Sequence, residues 1–276
     1  SLDSVCRSIN GRIIEGNDKH IITGVTTDSR TVAAGSLFIA LSGEKFDGHD
    51  FVTAALAQGA RAAVVSRVID ISSELGEEKT LILVDDTLQA LQALAASYRK
   101  CFDIPVIAVT GSVGKTTIKD LIALFLSSTW KILKTQGNYN NDIGLPLTLL
   151  QLDESYQAAV VEMGMSALGE IQRLAAIAQP RFALISNVEP VHLETLGSLE
   201  NIARAKCEVL SQITEDGFAL INGDYNLLIE TARKYPCRKY TFGYNRSCDY
   251  QVANCTLSNT GMEITMRWQN QLETLF

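Results

Sequence analysis

The stretch VIAVTGSVGKTTIKDLIALFL, residues 106–126, restricts the fold more than any other part of the sequence. An apolar strand runs into a glycine turn, and the turn runs into an amphipathic helix. A helix N-terminus after a strand presents unpaired N–H groups and a partial positive charge, which suit a phosphate. The turn GSVGKTT is a shortened phosphate-binding loop, with Val109 where the full pattern has a glycine. It predicts a nucleotide site, and an ordinary turn with an exposed lysine is the alternative.

The residues before this stretch predict a small α/β domain. Its elements are apolar strands at 36–41, 61–66 and 80–85 and helical stretches at 49–59 and 86–102. Gly59 is placed to end the first of these helices, and Pro105 marks a natural boundary. We therefore predict a first domain over residues 1–102.

Regular alternation of strand and helix patterns follows over residues 103–276. The predicted strands lie at 105–110, 131–135, 158–163, 182–188, 218–222 and 238–242, and the predicted helices at 115–128, 169–179 and 198–213. This order predicts a mostly parallel sheet covered by helices on both faces. Near the end, DYQVANCTL and MEITMRW, joined by SNTG, alternate in polarity and predict a β-hairpin. The fold class is therefore α/β, with a small N-terminal domain and a central domain of the P-loop ATPase type.

Charge and cysteine content exclude several classes of protein. A net charge of −7 argues against a general nucleic-acid-binding or membrane-binding surface. No apolar run reaches the ~18 residues of a membrane span. The six cysteines lack zinc-like spacing, and we expect reduced thiols in a cytoplasmic protein. The sequence starts at Ser1, from which we expect a processed or engineered start.

Candidate ligands follow the strands of the second domain. In a parallel sheet a nucleotide lies at the carboxyl ends of the strands. Glu162 ends one strand and could hold Mg²⁺ directly or through water, unless it is a solvated acid. His192 follows another strand. Since Mg²⁺ prefers oxygen, chemistry alone favours a histidine that hydrogen-bonds to phosphate or substrate.

Two further features are unusual for their positions. Lys206 lies on the apolar face of the helical stretch SLENIARAKCEVL, where a lysine is costly unless it extends to solvent or is paired. The other possibility is an amine that burial keeps neutral or that is chemically modified. The loop at 135–152 carries Asn138, Asn140 and Asn141 at the same sheet edge as the glycine turn. These amides suit a nonionic polar group or phosphate oxygens, unless they cap the following helix.

These motifs together resemble those of the Mur ligases, the ATP-dependent amide-forming enzymes of peptidoglycan synthesis. The similar segments are TGSVGKTT, TQGNYNNDIGLPLTLL, VVEMGMSALGEI, NVEPVHLETLGSLENIARAKCEVL and INGDYN. In the first domain, TTDSRTVAAGSLFIALSGEKFDGHDFVTAALAQGARAAVV resembles a UDP-binding domain that two members of the pathway share. The segment GNYNNDIGLPLTLL is similar to the member that adds D-alanyl-D-alanine to UDP-N-acetylmuramoyl-tripeptide.

The resemblance implies a role for named residues in each motif. Those implied to hold ATP are Gly111, Ser112, Gly114, Lys115, Thr116, Thr117, Asn140, Asn141 and Asn222, the last against adenine. Those implied to bind two Mg²⁺ ions are Thr116, Glu162, His192 and Lys206, with Lys206 converted by CO₂ to a carbamate. The implied catalytic residues are Lys115, Glu162, His192 and Lys206, and the implied contacts to uridine diphosphate are Ser29, Arg30, Asp47 and His49.

The resemblance also implies a mechanism and a setting. The substrate carboxylate attacks the γ-phosphate to give an acyl phosphate, which the dipeptide amine then attacks. We expect a cytoplasmic monomer that binds neither nucleic acid nor membrane. Mur ligases have a third, C-terminal domain, and we expect it to be absent here and the fragment to be inactive.

Three other classes of protein are compatible with parts of this pattern. Folylpolyglutamate synthases share the central fold but would lack the first domain. A ligase that adds the third peptide residue would have similar ATP motifs with a different loop in place of GNYNNDIGLP. A non-catalytic nucleotide-binding paralogue would not need the set Lys115, Glu162, His192 and Lys206, which is intact here.

Overall fold

The computed structural model describes residues 1–71, 79–259, 261–269 and 271–275, and the chain divides into two compact units. The first unit contains Ser1–Asp103 and Asp142–Asp153, and the second contains Ile104–Asn141 and Glu154–Phe276. The sequence pattern placed residues 142–153 in the second domain, whereas the structure places them in the first unit. The reason is apolar packing, because Leu147 and Leu150 lie against the hydrophobic core of that unit.

A five-stranded sheet lies at the centre of the first unit. Its strands are β1 (Arg12–Glu15), β2 (Val25–Thr26), β3 (Leu37–Ile39), β4 (Ala62–Val65) and β5 (Thr80–Leu83), in the spatial order β1-β5-β4-β3-β2. Its helices are α1 (Leu2–Ile9), α2 (Val52–Ala57), α3 (Thr87–Arg99) and α5 (Gly144–Leu149), with 3₁₀ turns at Ser29–Thr31 and Gly48–Phe51. β1 runs antiparallel to β5, and the other neighbours are parallel.

Both faces of this sheet are buried, because successive residues of a strand point to opposite sides. Leu37 packs in a core cluster with Leu91 of α3, whereas Phe38 packs in a second cluster with Leu56 of α2. A strand that is buried on both faces is apolar throughout, as β3 and β4 are.

The second unit contains a nine-stranded sheet. Its strands are β6 (Val106–Thr110), β7 (Ile132–Lys134), β8 (Ala158–Glu162), β9 (Phe182–Ile185), β10 (Phe218–Asn222), β11 (Lys239–Gly243), β12 (Tyr250–Ser258), β13 (Gly261–Trp268) and β14 (Gln271–Leu275), in the order β14-β13-β12-β11-β10-β9-β6-β8-β7. Neighbours from β7 across to β12 are parallel, and the pairs β12–β13 and β13–β14 are antiparallel. The predicted mostly parallel sheet and the hairpin strands are confirmed. β14 was not predicted, and residue 260 of the SNTG segment lies outside the described residues.

The helices of the second unit follow the strands as βα units require. They are α4 (Lys115–Leu126), α6 (Glu170–Ala178), α7 (Leu193–Leu196), α8 (Leu199–Cys207), which continues as a 3₁₀ turn over Glu208–Gln212, and α9 (Asn226–Ala232). Ile118 and Ile122 of α4 pack with Val109 and Val160 of the sheet. This packing fixes the start of α4 at the carboxyl end of β6. In the part of the chain that the structure describes, no helix is long and apolar enough to cross a membrane.

Candidate functional site

The glycine turn joins β6 to α4 at the carboxyl edge of the sheet. Val109 of β6 pairs with Glu162 of β8, so the turn begins beside the end of the neighbouring strand. Gly111 has a φ of 153°, and a Cβ atom there would lie 1.9 Å from Ser186 Oγ. Gly114 has a φ of 81° and caps the start of α4. Glycine is therefore required at 111 by both backbone conformation and close approach.

The polar segment after β9 binds this turn directly. Asn187 Oδ1 accepts hydrogen bonds from the main-chain N–H groups of Ser112 and Val113, both at 2.9 Å. Ser112 Oγ donates to the Glu189 carbonyl at 3.1 Å and accepts from the Glu189 N–H at 2.8 Å. Ser112 was implied as an ATP contact, and here its groups hold the turn in place. Asn187 and Glu189 were not predicted as site residues. The run SNVEP, which directly follows an apolar strand, does indicate polar groups at this edge of the sheet.

The start of α4 leaves N–H groups and a cation at the turn. The first main-chain bond of the helix runs from the Ile118 N–H to the Gly114 carbonyl, so the N–H groups of residues 115–117 have no intrahelical partner. Lys115 Nζ donates to the Gly111 carbonyl at 2.9 Å and to the Ser112 carbonyl at 3.2 Å. These bonds hold the ammonium group over the turn. The ammonium group and the helix N-terminus together present positive charge of the kind that suits an anion.

Three predicted site residues meet at the end of β8. Glu162 is 2% exposed, and its carboxylate accepts hydrogen bonds from Thr116 Oγ1 at 2.8 Å and from Asn140 Nδ2 at 2.7 Å. A threonine hydroxyl and a carboxylate side by side are oxygen ligands of the kind that Mg²⁺ prefers. Mg²⁺ is usually bound by one or two protein oxygen ligands together with phosphate oxygens and waters, and this pair of oxygen donors is of that kind.

Lys206 lies in α8 and is buried, with 2% of its surface exposed. With so little of its surface in water, the interpretation of Lys206 as a lysine that extends to solvent is wrong. Burial and then the positive charge of Lys115 lower the pKa of Lys206 to about 7. A buried amine that is partly neutral near pH 7 can react with CO₂.

The other predicted residues of the second unit lie apart from this cluster of contacts. His192 is exposed, has a φ of 58° and caps α7, and its carbonyl accepts a hydrogen bond from Thr195 Oγ1 at 3.1 Å. Thr117 and Asn141 are exposed. Asn222 Nδ2 donates to the Ser186 carbonyl at 2.8 Å, which ties the end of β10 to the end of β9. The structure thus brings Thr116, Asn140 and Glu162 into contact, and leaves His192 at the same sheet edge without a bond to them.

In the first unit, Ser29 and Arg30 line a cavity of about 510 Å³. The other lining residues are Thr27, Asp28, Phe38, Leu41, Phe46, Gly48 and Phe51. Asp28 caps the turn at Ser29–Thr31 and accepts hydrogen bonds from the side chain and the N–H of Arg30, which lower the pKa of Asp28 to about 2. The Arg30 side chain is 86% exposed, and its Nη2 donates to Asp28 Oδ2 at 2.7 Å. Its remaining guanidinium donors, at a residue that lines the cavity, suit a phosphate.

Asp47 and His49 lie on either side of Gly48 but do not line this cavity. His49 is 3% exposed, its Nε2 accepts from the Ser66 N–H at 2.9 Å, and its Nδ1 therefore donates to Asp47 Oδ1 at 2.6 Å. Arg67 Nη1 donates to Asp47 Oδ2 at 2.6 Å. Hydrogen bonds from the N–H and ring of His49, and then from Arg67, hold the pKa of Asp47 well below its usual range. Both predicted substrate contacts form hydrogen bonds around Gly48, and their contact to a substrate stays a prediction.

Two family models match this chain. The model of the Mur ligase middle domain matches residues 109–274, and that of the Mur ligase family catalytic domain matches residues 21–99. A UDP-N-acetylmuramoyl-tripeptide--D-alanyl-D-alanine ligase from Synechocystis sp. is 48% identical over 214 residues, which are 78% of this chain and 46% of the relative. The chain spans about half the length of the curated relatives it matches.

Solved structures of MurF proteins also match this chain. A structure of MurF from Acinetobacter baumannii matches with a TM-score of 0.89 and 31% identity, over 100% of this chain and 60% of that one. A structure of the MurF ligase from Thermotoga maritima in complex with ADP matches with a TM-score of 0.82 and 30% identity, over 91% of this chain and 57% of that one. Both proteins continue well beyond the part that this chain matches.

Proposed function

The chain belongs to the Mur ligase family, and on this basis we propose that it is the nucleotide-binding and UDP-substrate-binding part of a MurF-type ligase. The proposed enzyme adds D-alanyl-D-alanine to UDP-N-acetylmuramoyl-tripeptide and consumes ATP. The name of the Synechocystis relative supports these substrates, and the complex of the Thermotoga protein with ADP supports the nucleotide. We further propose a cytoplasmic monomer that uses no nucleic acid.

One observation carries this proposal: the Thr116, Asn140 and Glu162 side chains are in contact beside a glycine turn that opens a helix. The turn offers N–H groups and the Lys115 ammonium to the phosphates of ATP. Thr116 and Glu162 would hold one Mg²⁺ ion, which when bound neutralises charge on the phosphates. Asn140 keeps the carboxylate oriented by donating to one of its oxygens.

In the proposed reaction, a carboxylate oxygen of the tripeptide attacks the γ-phosphorus, and ADP leaves. The amine of D-alanyl-D-alanine then attacks the carbonyl carbon of the acyl phosphate, phosphate leaves, and the amine gives up a proton. The carboxylate and the γ-phosphate repel each other before the first step. Lys115, held 2.9 Å from the Gly111 carbonyl, offsets part of this repulsion at a fixed position.

Lys206 is proposed to take up CO₂ as a carbamate, with loss of one proton from its amine. Its burial and lowered pKa favour the neutral amine that this addition needs. The carbamate would give the site a further anionic oxygen ligand, and with His192 it would hold a second Mg²⁺ ion.

The cavity of the first unit is proposed to receive the uridine diphosphate portion of the substrate. Arg30 supplies the exposed positive charge for the diphosphate, and Ser29 supplies a hydroxyl. Phe46 and Phe51 are 73% and 40% exposed at the same cavity and offer aromatic surface to a pyrimidine.

The test is phosphate release by the full-length protein with Mg²⁺, ATP and UDP-N-acetylmuramoyl-tripeptide, with and without D-alanyl-D-alanine. We expect continuous release only when the dipeptide is present. Release that instead requires the UDP-linked dipeptide and a diamino acid would show a ligase of the third residue. Nucleotide binding without any release would show the non-catalytic paralogue.

A further inference from the structure

Lys119 is a buried lysine for which the proposed reaction has no assigned use. It is 2% exposed, and the buried residues of α4 are Lys119 and Ala123. It lies four residues after Lys115, so both belong to one face of the helix. An ionised lysine is costly to remove from water unless other groups compensate its charge. The contacts of its ammonium group therefore indicate what it does.

The Lys119 ammonium makes one close contact to the main chain and one to a shared carboxylate. Its Nζ donates to the Thr135 carbonyl at 2.7 Å and lies 3.3 Å from Asp120 Oδ1. The same oxygen of Asp120 lies 2.8 Å from Lys134 Nζ, and the Asp120 side chain is 46% exposed. A half-exposed carboxylate that two lysines share compensates a buried charge weakly. The Thr135 carbonyl is thus the shorter and more buried of the two contacts.

Thr135 connects Lys119 to the main chain of Glu162. It directly follows β7 and is 0% exposed. Its carbonyl accepts from Lys119, and its Oγ1 accepts from the Glu162 N–H at 3.0 Å. One buried threonine therefore holds the residue that carries the candidate Mg²⁺ ligand.

The loop that carries Asn140 also begins at Thr135. Asn140 donates from Nδ2 to Glu162 Oε1, and its carbonyl accepts from the Gly164 N–H at 2.8 Å. A shift at Thr135 would move this loop as well as the Glu162 main chain. Lys119 thus contacts the residue whose hydroxyl binds the Glu162 N–H and from which the loop to Asn140 begins; the Thr135 N–H itself donates to the Val160 carbonyl at 3.1 Å.

We propose that Lys119 is a positioning residue, which through Thr135 holds the Glu162 carboxylate in place for a Mg²⁺-bound nucleotide. This inference rests on the proposed function, because it takes Glu162 as a ligand of the cation. Removing a group that orients a metal ligand typically lowers metal affinity 10–100-fold. A lysine that only stabilised the fold would have no such effect on the cation.

The test measures the affinity of this chain for ATP by calorimetry, once with excess Mg²⁺ and once with EDTA. We expect the parent to bind ATP more tightly with Mg²⁺. Lys119→Met fills a similar volume without the charge, and it should lose about tenfold or more of this enhancement while keeping the affinity measured in EDTA. Lys134→Met is the matched control, because it removes a positive charge from the same Asp120 oxygen. It should keep the enhancement of the parent.

A second pair of variants keeps the test decisive if Lys119→Met fails to fold. Thr135→Val removes the hydroxyl that accepts from Glu162, and Thr135→Ser retains it. We expect Thr135→Val to lose the Mg²⁺ enhancement and Thr135→Ser to keep it.

The urea midpoint and the Mg²⁺ enhancement of ATP affinity together distinguish failure of the positioning role from failure of the cation site. We expect the urea midpoint of Lys119→Met to fall modestly, since the buried Thr135 carbonyl loses this donor. A lowered midpoint with an intact Mg²⁺ enhancement would overturn the positioning role and leave the cation site standing. No Mg²⁺ enhancement in the parent would overturn the cation site at Glu162 and the positioning role with it.

Discussion

Replacing Lys206 by methionine should change how the stability of the second unit depends on pH. The side chain is 2% exposed, and its pKa falls from 10.5 to about 7. Such a shift corresponds to about 4–5 kcal/mol between the two protonation states. Methionine occupies a similar volume without charge, so Lys206→Met should be the more stable protein at pH 6, where the buried amine is protonated.

The sign of the pH dependence follows from proton binding. Between pH 7 and 10.5 the unfolded chain keeps the Lys206 proton and the folded chain releases it, so the parent gains stability as pH rises. The slope approaches 1.36 kcal/mol per pH unit, and from pH 7 to pH 9 the gain is about 2 kcal/mol. The stability advantage of Lys206→Met should therefore shrink by about 2 kcal/mol over this range.

The assay is urea unfolding followed by tryptophan fluorescence, at pH 6 to 9 in CO₂-free buffer. Both tryptophans of the chain, Trp130 and Trp268, belong to the second unit, so the signal reports the unit that contains Lys206. The other titrating groups contribute equally to the unfolding free energies of parent and variant, so their contributions cancel in the difference. A difference that stays constant from pH 6 to 9 would mean that Lys206 titrates as an ordinary lysine. Added bicarbonate at pH 8 should stabilise the parent alone, because methionine cannot form a carbamate.

Three other changes have defined outcomes. Lys115→Ala should lower ATP affinity at least about tenfold in calorimetry and leave the urea midpoint unchanged, because it removes charge at an accessible turn; an unchanged affinity would remove this lysine from the phosphate site. Gly111→Ala should cost about 1–3 kcal/mol in urea unfolding, because its Cβ would lie 1.9 Å from Ser186 Oγ. Gly137→Ala, at a φ of 50° with nothing within 4 Å, is the control for backbone strain, and an equal loss would show that the collision is unimportant. This chain should bind UDP-N-acetylmuramoyl-tripeptide through the first unit, and calorimetry should show weaker binding after Arg30→Ala, which removes a positive charge at the cavity. An affinity that this substitution leaves unchanged would contradict that expectation.

The sequence predicted the central part of the fold because that part is encoded locally. β6, the glycine turn and α4 follow from an apolar run, two glycines and a helical period within residues 106–126. The meeting of Thr116 and Glu162 follows from the rule that parallel strands end at one edge of a sheet. These predictions needed only the local patterns at 106–126 and 158–163.

Other parts depend on packing that local sequence does not contain. The helix Gly144–Leu149 is apolar, and nothing in its pattern shows that Leu147 packs in the core of the first unit. The two-residue strand β2 and the edge strand β14 are too short or too exposed to give a clear alternation.

Within the site, sequence identified residue types but not their hydrogen bonds. Asn187 binds the glycine turn from the segment after β9, which is distant in sequence, and His49 is buried and bonded at both ring nitrogens. Burial of Lys119 was not predictable from polarity in this helix, because Leu121, Leu124 and Phe125 of the same helix are exposed. Side-chain bonds across strands depend on distances of a few tenths of an ångström, which composition and spacing do not fix.

Transfer of an oxygen isotope from substrate to phosphate would examine the proposed ligase chemistry itself. The full-length protein is given ATP, Mg²⁺, D-alanyl-D-alanine and UDP-N-acetylmuramoyl-tripeptide labelled with ¹⁸O in its reacting carboxylate. Attack of that carboxylate on the γ-phosphorus predicts one ¹⁸O atom in each released phosphate. The amide product should have the mass of the UDP-linked tripeptide plus that of the dipeptide, minus one water. Phosphate that carries no label, or label transfer without the amide product, would contradict an acyl phosphate formed at the Lys115 turn.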